Sequence, residues 1–210
     1  WTDLRNGNRD IYAQLIGLDG QALWDQNGVG VCQAVGDQDG LRVVRASDNA
    51  VLAVWVDRRG GDQDIYAQKI TSSGVGWAVN GLGVCVRSGE QGAPSIAADP
   101  NGGAYVAWED RRPGVSDIRD VYVQHVNALG SPIFSVNGLA IPSGSTTICN
   151  FAKLPAVAAS EESGFLVGFL ECSQVRVQKV AANGQLMWPA TLSAGVSHDV
   201  KLSISLVADG

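Results

Sequence analysis

The stretch WVDRRGGDQDIYAQ, Trp55 to Gln68, decides the fold because it recurs along the chain. WTDLRNGNRDIYAQ begins at Trp1 and WEDRRPGVSDIRDVYVQ begins at Trp108. A degenerate copy, FLECSQVRVQ, begins at Phe169. Self-similarity at a period of about 53 residues is the sequence signature of a repeat architecture. We therefore predict that the chain consists of about four related units.

Further landmarks recur in the same order inside the units. A second aromatic residue is followed by Asn-Gly in the first three units, and a GVGVC or GLGVC segment closes the first two. Landmarks that keep one order in three units are very unlikely by chance. We predict a single domain, residues 1–210, with units at about 1–54, 55–107, 108–168 and 169–210. The second aromatic residues are Trp24, Trp77, Phe134 and Trp188.

Each unit is predicted to form four short β-strands. In the third unit these are PSIAAD (strand a), GGAYVAWED (strand b), DVYVQHVNA (strand c) and SPIFSVNGLAI (strand d), all rich in aromatic or β-branched residues. The segment DPNGG makes the turn between strands a and b. No segment has a helical period with proper caps. This pattern predicts an all-β fold, a β-propeller of four-stranded antiparallel blades whose aromatic residues pack between blades.

The phase of the repeat leaves two arrangements open. The chain begins at the end of a strand b, and LSISLVADG, Leu202 to Gly210, is predicted to be a strand a. Four units could close a four-bladed ring by pairing terminal strands, which would remove exposed edges. The first unit would then lack most of its strand b, so we favour an arc of a larger propeller and a chain that is a piece of a longer protein.

Composition and charge exclude several classes of partner. The formal net charge is −6 and the sequence pI is about 4.8, which argues against nucleic acid or an anionic membrane surface. No apolar run approaches the roughly 20 residues that a membrane-spanning helix needs. With 26 Gly and 7 Pro among strand-forming residues, the chain is expected to be globular and rich in turns.

The charged turns between strands b and c are the candidate binding residues. We expect Asp and Arg to pair across the mouth of each hairpin and to cap loop amides, while Gly supplies the bend. Repetition favours this structural role, because a catalytic site needs one constellation whereas every blade needs its own turn. The third unit has an insertion that offers both Asp117 and Asp120, and the fourth retains only Glu171 and Gln174. The candidates are Asp3, Arg5, Asp10, Asp57, Arg59, Asp64, Asp110, Arg112 and Asp117.

A ligand-binding role for the same turns is the alternative. Guanidinium groups repeated on one face could bind carboxylates. Repeated carboxylates could bind Ca²⁺, the one cofactor that the sequence suggests, although their spacing matches no recognised calcium loop. No nucleophile, zinc-protease or phosphate-loop motif is present. His125 and His198 are expected to be surface or packing residues, so we predict no catalytic residue.

The four cysteines fall into two pairs. Cys32 and Cys85 occupy equivalent places in successive units, and this equivalence predicts that they stay apart. Cys149 and Cys172 break the repeat and lie in loops on one predicted face, which makes them a disulfide candidate. A disulfide would support an extracellular setting.

The segment WTDLRNGNRDIYAQLIGLDG, residues 1–20, resembles the W-x-D-x-R…D-I-Y-A-Q repeats of large secreted or surface bacterial propeller proteins. The resemblance covers the first three units well and the fourth poorly. Trp1-Thr2-Asp3 is also similar to the YWTD propellers of lipoprotein receptors, whose units are shorter. The first resemblance implies an extracellular propeller with no assigned catalysis.

From these observations we expect an extracellular, non-catalytic binding or structural module that mediates protein–protein contact or surface assembly. Two alternatives stay open. The first is a carbohydrate-binding, lectin-like propeller, and the second is part of a secreted glycan-active enzyme whose catalytic residues lie outside this chain. The expected partners are a protein or a glycan at the cell surface, or further copies of the chain, without nucleic acid or membrane insertion.

Overall fold

Sixteen β-strands and no helix occupy the part of the chain that the computed structural model describes, residues 1–112, 119–142, 152–160, 164–172, 174–189 and 192–194. The strands are β1 (Thr2–Asp3), β2 (Asp10–Ala13), β3 (Val29–Cys32), β4 (Gln38–Arg45), β5 (Val51–Asp57), β6 (Asp64–Thr71), β7 (Gly74–Val75), β8 (Leu82–Cys85), β9 (Glu90–Ala98), β10 (Ala104–Arg111), β11 (Asp120–Val126), β12 (Leu139–Ala140), β13 (Ala152–Ala159), β14 (Phe165–Glu171), β15 (Gln174–Val180) and β16 (Leu192–Ala194).

The strands form four successive antiparallel sheets in which neighbours in sequence are neighbours in space. The first sheet has the order β1-β2-β3, and the second has the order β4-β5-β6-β7, with β8 also paired to β6. The third is β9 to β12 and the fourth is β13 to β16. Tight turns make this order possible, as where Asp99 N donates to Gly103 O over 2.9 Å between β9 and β10. The predicted all-β class and the repeated antiparallel meander are confirmed.

The fourth strand of each unit is shorter than predicted. In the third unit the extended prediction over residues 131–141 reduces to Leu139–Ala140 and an isolated bridge between Pro132 and Val126. A turn interrupts the strand because Asn137 and Gly138 both adopt positive φ angles, 62° and 90°. Such angles belong to the left-handed region, which a β-strand does not use.

The core lies between the sheets, which pack face to face in chain order. Along β5, Ala53 and Trp55 point to the first sheet, while Leu52 and Val54 point to the third, as the two-residue period of a strand requires. Between the third and fourth sheets, Phe165 belongs to a separate buried cluster. A sheet that is apolar on both faces needs a neighbour on each side, which explains the stack.

The first strand of the second, third and fourth sheets carries an irregularity near its beginning. The pairing register shifts at the same point in each, and one residue there has a positive φ angle: Gly40, Ala93 and Leu154. These β-bulges bend the strand and redirect the side chains around them. Because only one of the three residues is Gly, these bulges could not be predicted from the residue types.

Stacked four-stranded meanders are the arrangement of propeller blades, but the stack is open within the described residues. No strand of the first sheet is hydrogen-bonded to a strand of the fourth. The predicted strand a at Leu202 to Gly210 lies outside the described residues. The number of blades and the choice between a ring and an arc therefore stay predictions. Among the described residues no helix is long and apolar enough to cross a membrane.

Candidate functional site

The charged turn of the second sheet folds back onto the end of β5. Trp55 Nε1 donates to Asp57 Oδ2 over 2.9 Å. The Arg59 guanidinium contacts both oxygens of this carboxylate, Nε to Oδ1 at 2.9 Å and Nη2 to Oδ2 at 2.6 Å. Arg59 Cζ also lies 3.9 Å from the centroid of the Tyr66 ring, which stacks on Trp55. We call Trp55, Asp57, Arg59 and Tyr66 the clasp of the second sheet.

Backbone groups and the preceding sheet complete this clasp. Asp57 Oδ1 accepts a further hydrogen bond from Arg59 N over 3.0 Å, which fixes the turn. Arg59 Nη2 donates to Asn80 O over 2.6 Å, in the loop before β8. Cys32 Sγ, from the first sheet, lies 3.7 Å from Asp57 Oδ2 and 3.2 Å from Arg59 Nη2. The clasp thus ties together one sheet and anchors it to the sheet before it.

The third sheet repeats the clasp almost atom for atom. Trp108 Nε1 donates to Asp110 Oδ2 over 2.9 Å, and Arg112 contacts Asp110 through Nε at 2.8 Å and Nη2 at 2.6 Å. Arg112 Cζ lies 3.5 Å from the centroid of the Tyr122 ring. Cys85 Sγ, from the second sheet, is 3.8 Å from Asp110 Oδ2. Four side chains and one cysteine of the preceding sheet therefore recur as a unit.

The first sheet carries the same clasp in a more exposed form. Asp3 accepts from Trp1 Nε1 over 3.3 Å and is ion-paired with Arg5, whose Cζ lies 3.9 Å from the Tyr12 ring centroid. Hydrogen bonds from the Arg5 side chain and backbone hold the pKa of Asp3 well below its usual range. Nearly half of the Trp1 surface is exposed, whereas Trp55 and Trp108 are fully buried.

A second carboxylate faces the clasp from the neighbouring strand. Asp64 on β6 is directly opposite Asp57 on β5. Burial raises the pKa of Asp64, and the charge of Asp57 raises it further. Burial also works to raise the pKa of Asp57, but hydrogen bonds from Arg59 and Trp55 outweigh it and the pKa is lowered. Of the two facing groups, Asp57 is therefore the one whose anionic form folding favours.

The structure also locates the partner carboxylates of the other two clasps. In the first sheet Asp10 is opposite Asp3 and accepts from Asn6 Nδ2 over 2.6 Å and Asn8 Nδ2 over 2.8 Å. In the third sheet the residue opposite Asp110 is Asp120, whose pKa is raised by burial and by Asp110. Asp120, and not the predicted Asp117, is thus the counterpart of Asp64.

Asp117 itself lies outside the described residues. The insertion in the third unit hid the correct alignment, yet a signal was present. The triplets Asp10-Ile11-Tyr12, Asp64-Ile65-Tyr66 and Asp120-Val121-Tyr122 match at the start of the third strand. Counting back from the tyrosine instead of forward from the tryptophan would have found Asp120.

The clasps of the second and third sheets have little capacity to bind anything else. The side chains of Asp57 and Asp110 are fully buried, and both oxygens of each carboxylate already accept hydrogen bonds. This geometry favours the predicted structural role of the turns, in which Asp and Arg pair and cap the loop. Within the described ranges no group of three or more His, Cys, Asp or Glu residues is placed to hold a metal ion.

The structure describes Cys32, Cys85 and Cys172 but not Cys149. Cys32 and Cys85 are separate, buried free thiols, as their equivalence in the repeat predicted. Burial raises the pKa of Cys32 to about 11 and that of Cys85 to about 12. Cys149 lies outside the described residues, and Cys172 is not one of the free thiols. The pairing of Cys149 with Cys172 stays a prediction.

The fourth sheet rebuilds the ion pair that its sequence had lost. Glu171 ends β14 at the place of Asp57, and Arg176 Nε donates to Glu171 Oε2 over 3.0 Å. Both side chains are buried or nearly so. The fourth unit lacks almost all of the charged turn, as its sequence indicated, and an arginine from the next strand takes the place of the turn arginine.

A second polar region was missed by sequence reasoning. A cavity of about 370 Å³ lies beside the bulge of β9, and its charged lining consists of Glu90, Glu109, Arg111 and Arg119. We call these four residues the charged cleft. Arg119 Nη1 donates to Glu109 Oε2 over 3.0 Å, and Glu109 Oε1 accepts from Leu154 N of the fourth sheet over 2.9 Å. The signal was a departure from the repeat, since a glutamate follows Trp108 where a valine follows Trp55.

His125 is a packing residue, as expected. Its ring lies between Asp99, 3.1 Å from Nε2, and Ala182 O of the fourth sheet, 2.8 Å from Nδ1. The corresponding residue of the second sheet, Lys69, donates to Gly102 O of the third sheet over 2.9 Å. His198 lies outside the described residues.

A comparison with solved structures gives a distant likeness. No protein-family model and no curated protein matches the sequence. A solved structure titled as a thermostable family-43 glycoside hydrolase is similar, with a TM-score of 0.46 and 14% sequence identity. The match covers 81% of this chain and 57% of that one. We transfer no activity from a likeness of this degree.

Proposed function

We propose that the chain is an extracellular, non-catalytic propeller module that mediates protein–protein contact or surface assembly. One observation carries this proposal. The residues that most resemble an active site, the repeated Asp and Arg of the clasps, are used up by contacts within and between sheets. The Asp and Arg side chains that could act in catalysis stabilise the fold instead. Such a chain is better suited to present binding surfaces than to catalyse a reaction.

The stacked sheets support a role in contact because they expose apolar side chains along the structure. Val79 and Val136, at equivalent places in the second and third units, are each more than four-fifths exposed. Repeated exposed side chains at regular spacing suit a repeated partner surface, such as further copies of the chain. The extracellular setting rests on the resemblance to secreted repeats and on the proposed disulfide.

A test of this proposal measures assembly and turnover on the same preparation. Sedimentation velocity over a hundredfold concentration range is expected to show association, and replacing Val79 and Val136 together with Ser is expected to reduce it. Release of product from a panel of chromogenic glycosides is expected to stay at background. Turnover that survives purification and is lost in a single-carboxylate variant of this chain would overturn the non-catalytic assignment.

Carbohydrate binding is the second candidate, and the charged cleft is the observation that favours it. The cleft lies at the edge of a cavity of about 370 Å³, within the size range of small-molecule sites. Its Glu109 has no carboxylate counterpart in the other units, unlike the aspartates of the clasps. Single occurrence is what a binding site requires and what a structural repeat does not.

A further inference from the structure

We infer that the charged cleft binds a neutral, polyhydroxylated ligand, a saccharide, through Glu90, Glu109, Arg111 and Arg119. This inference deepens the carbohydrate-binding candidate and rests on it. The evidence comes from the departure of the cleft from the repeat, its geometry and its balance of charge.

Glu109 stands at a place where two of the other three units hold a buried apolar residue and the first unit holds Thr2. Glu109 follows Trp108 on β10, whereas the same place holds Val56 after Trp55 and Leu170 after Phe169, and both of these are buried. A buried apolar residue therefore satisfies the architecture at this position. Placing a carboxylate there carries a desolvation cost that a valine does not. Glu109 breaks this local rule, and residues that do so are expected at functional sites.

The strand register places the cleft residues on one face of the third sheet. Arg111 is opposite Glu90, and Glu109 is opposite Gly92, on adjacent strands. Side chains of directly opposed residues point to the same side of a sheet. Because Gly92 has no side chain, the space in front of Glu109 stays open, and the bulge at Ala93 widens it.

The Glu109 carboxylate is already fixed in direction. Arg119 holds one oxygen and Leu154 N holds the other, at 3.0 and 2.9 Å. Each carboxylate oxygen can accept a second hydrogen bond, and a guanidinium has five N–H donors. Acceptors and donors therefore remain for a ligand, and no side chain has to be reorganised to offer them.

The charge balance selects the class of ligand. Two carboxylates and two guanidinium groups give the cleft a formal charge of zero. A metal ion would meet the two arginines, and an anion would meet the two glutamates. A hydroxyl group both donates and accepts, so paired carboxylates and guanidinium groups suit the neighbouring hydroxyls of a sugar. Among the described residues no aromatic ring lines this cavity, so we expect no stacking contribution and an affinity on the order of millimolar.

The test begins with a glycan array and measures the hits by ligand-observed NMR. The variant Glu109→Val places the valine of the second sheet in the third and should fold normally. It is expected to weaken binding about tenfold or more, because it removes the acceptor and frees Arg119. Glu109→Gln, which keeps an acceptor for Leu154 N, is expected to weaken binding less than the valine variant does. The control is Arg9→Ala, which breaks an exposed ion pair with Asp39 near the equivalent end of the second sheet and should leave binding within about twofold.

Two results would overturn the inference, and they are distinguishable. If the unaltered chain binds a glycan and Glu109→Val, with an unchanged urea midpoint, binds it equally well, the cleft is not the site although carbohydrate binding stands. If no glycan on the array and no saccharide at 10 mM, the highest concentration tested, is bound, both the site and the candidate function fail.

Discussion

The second and fourth sheets meet the same requirement with different residues. In the second, a tryptophan, Asp57 and Arg59 of one turn form the clasp. In the fourth, Phe169 replaces the tryptophan, Glu171 replaces the aspartate, and the guanidinium belongs to Arg176 on the next strand. Arg176 is opposite Phe169, the place that Tyr66 occupies opposite Trp55 in the second sheet.

The comparison shows which part of the motif the fold requires. A buried carboxylate without a positive partner costs several kcal/mol, so the partner survives even when the turn that supplied it shortens. The aromatic residues and the turn arginine can change, provided that a guanidinium reaches the carboxylate. The carboxylate–guanidinium ion pair is the feature that both sheets share, and the W-x-D-x-R pattern is one sequence that forms it.

We expect the largest loss of stability when the carboxylate of this ion pair is removed. Asp57→Ala leaves the Arg59 guanidinium and the Trp55 N–H without their acceptor inside the structure, and we expect a loss of about 3–5 kcal/mol in the free energy of unfolding. Urea denaturation followed by tryptophan fluorescence measures it. Asp62→Ala is the control, because this exposed carboxylate of the same turn accepts only from Gly89 N and should cost under about 1 kcal/mol. Equal losses would contradict the clasp.

A smaller effect is expected from the rebuilt pair. Glu171→Ala should lower the free energy of unfolding by about 2 kcal/mol, because it removes the carboxylate to which the largely buried Arg176 guanidinium donates. The same urea experiment measures it. A loss as large as that of Asp57→Ala would mean that the aromatic residues and turn contacts of the second sheet add nothing.

The pH dependence of stability separates the two facing carboxylates of the second sheet. Because the pKa of Asp57 is lowered on folding, its contribution is present above the ordinary aspartate range and is lost as the pH falls through the folded value. The pKa of Asp64 is raised, so its contribution is present at low pH and is lost as the pH rises through the folded value.

Asparagine variants test this contrast in urea titrations between neutral and acid pH. Asp57→Asn should be less stable than the unaltered chain at neutral pH and should lose less on acidification. Asp64→Asn keeps an acceptor for Arg87 N and should be as stable or more stable at neutral pH. Acid profiles that shift in the same direction for both variants would show that folding does not move the two pKa values in opposite directions.

The smallest effect concerns the thiols that contact the clasps. Cys32→Ala should cost about 1 kcal/mol, because it removes a weak donor and a little packing volume next to Asp57. In the folded chain Cys32 and Cys85 should resist iodoacetamide at pH 8, since burial shields them and raises their pKa values to about 11 and about 12. Rapid labelling of either thiol without unfolding would contradict the packing between sheets.

Much of the fold could be predicted because the same sequence pattern recurs in several units. The repeat predicted the strands, and the spacing of Asp57 and Arg59 predicted their pairing. The cysteine contacts could not be predicted, because Cys32 and Asp57 belong to different units and only packing brings them together. The positive φ angles of Ala93 and Leu154 were equally hidden, since neither residue favours that conformation by itself.

The charged cleft escaped prediction for a different reason. A search for what recurs passes over Glu109, which has no counterpart in the other units. Once the architecture is known, the informative residues are those that depart from it. In the same way, the strand pairing places Asp120, and not Asp117, opposite Asp110 in the third sheet.

The cysteines that contact the clasps of the second and third sheets give the stack a direction. Cys32 precedes Asp57 in the chain, and Cys85 precedes Asp110. During synthesis each of these cysteines therefore leaves the ribosome before the aspartate that it will contact. Each newly made sheet can dock on a finished surface as it emerges, so assembly proceeds from the amino terminus in the order of synthesis. A chain built in this way can gain or lose whole units at its later end while the earlier clasps stay intact.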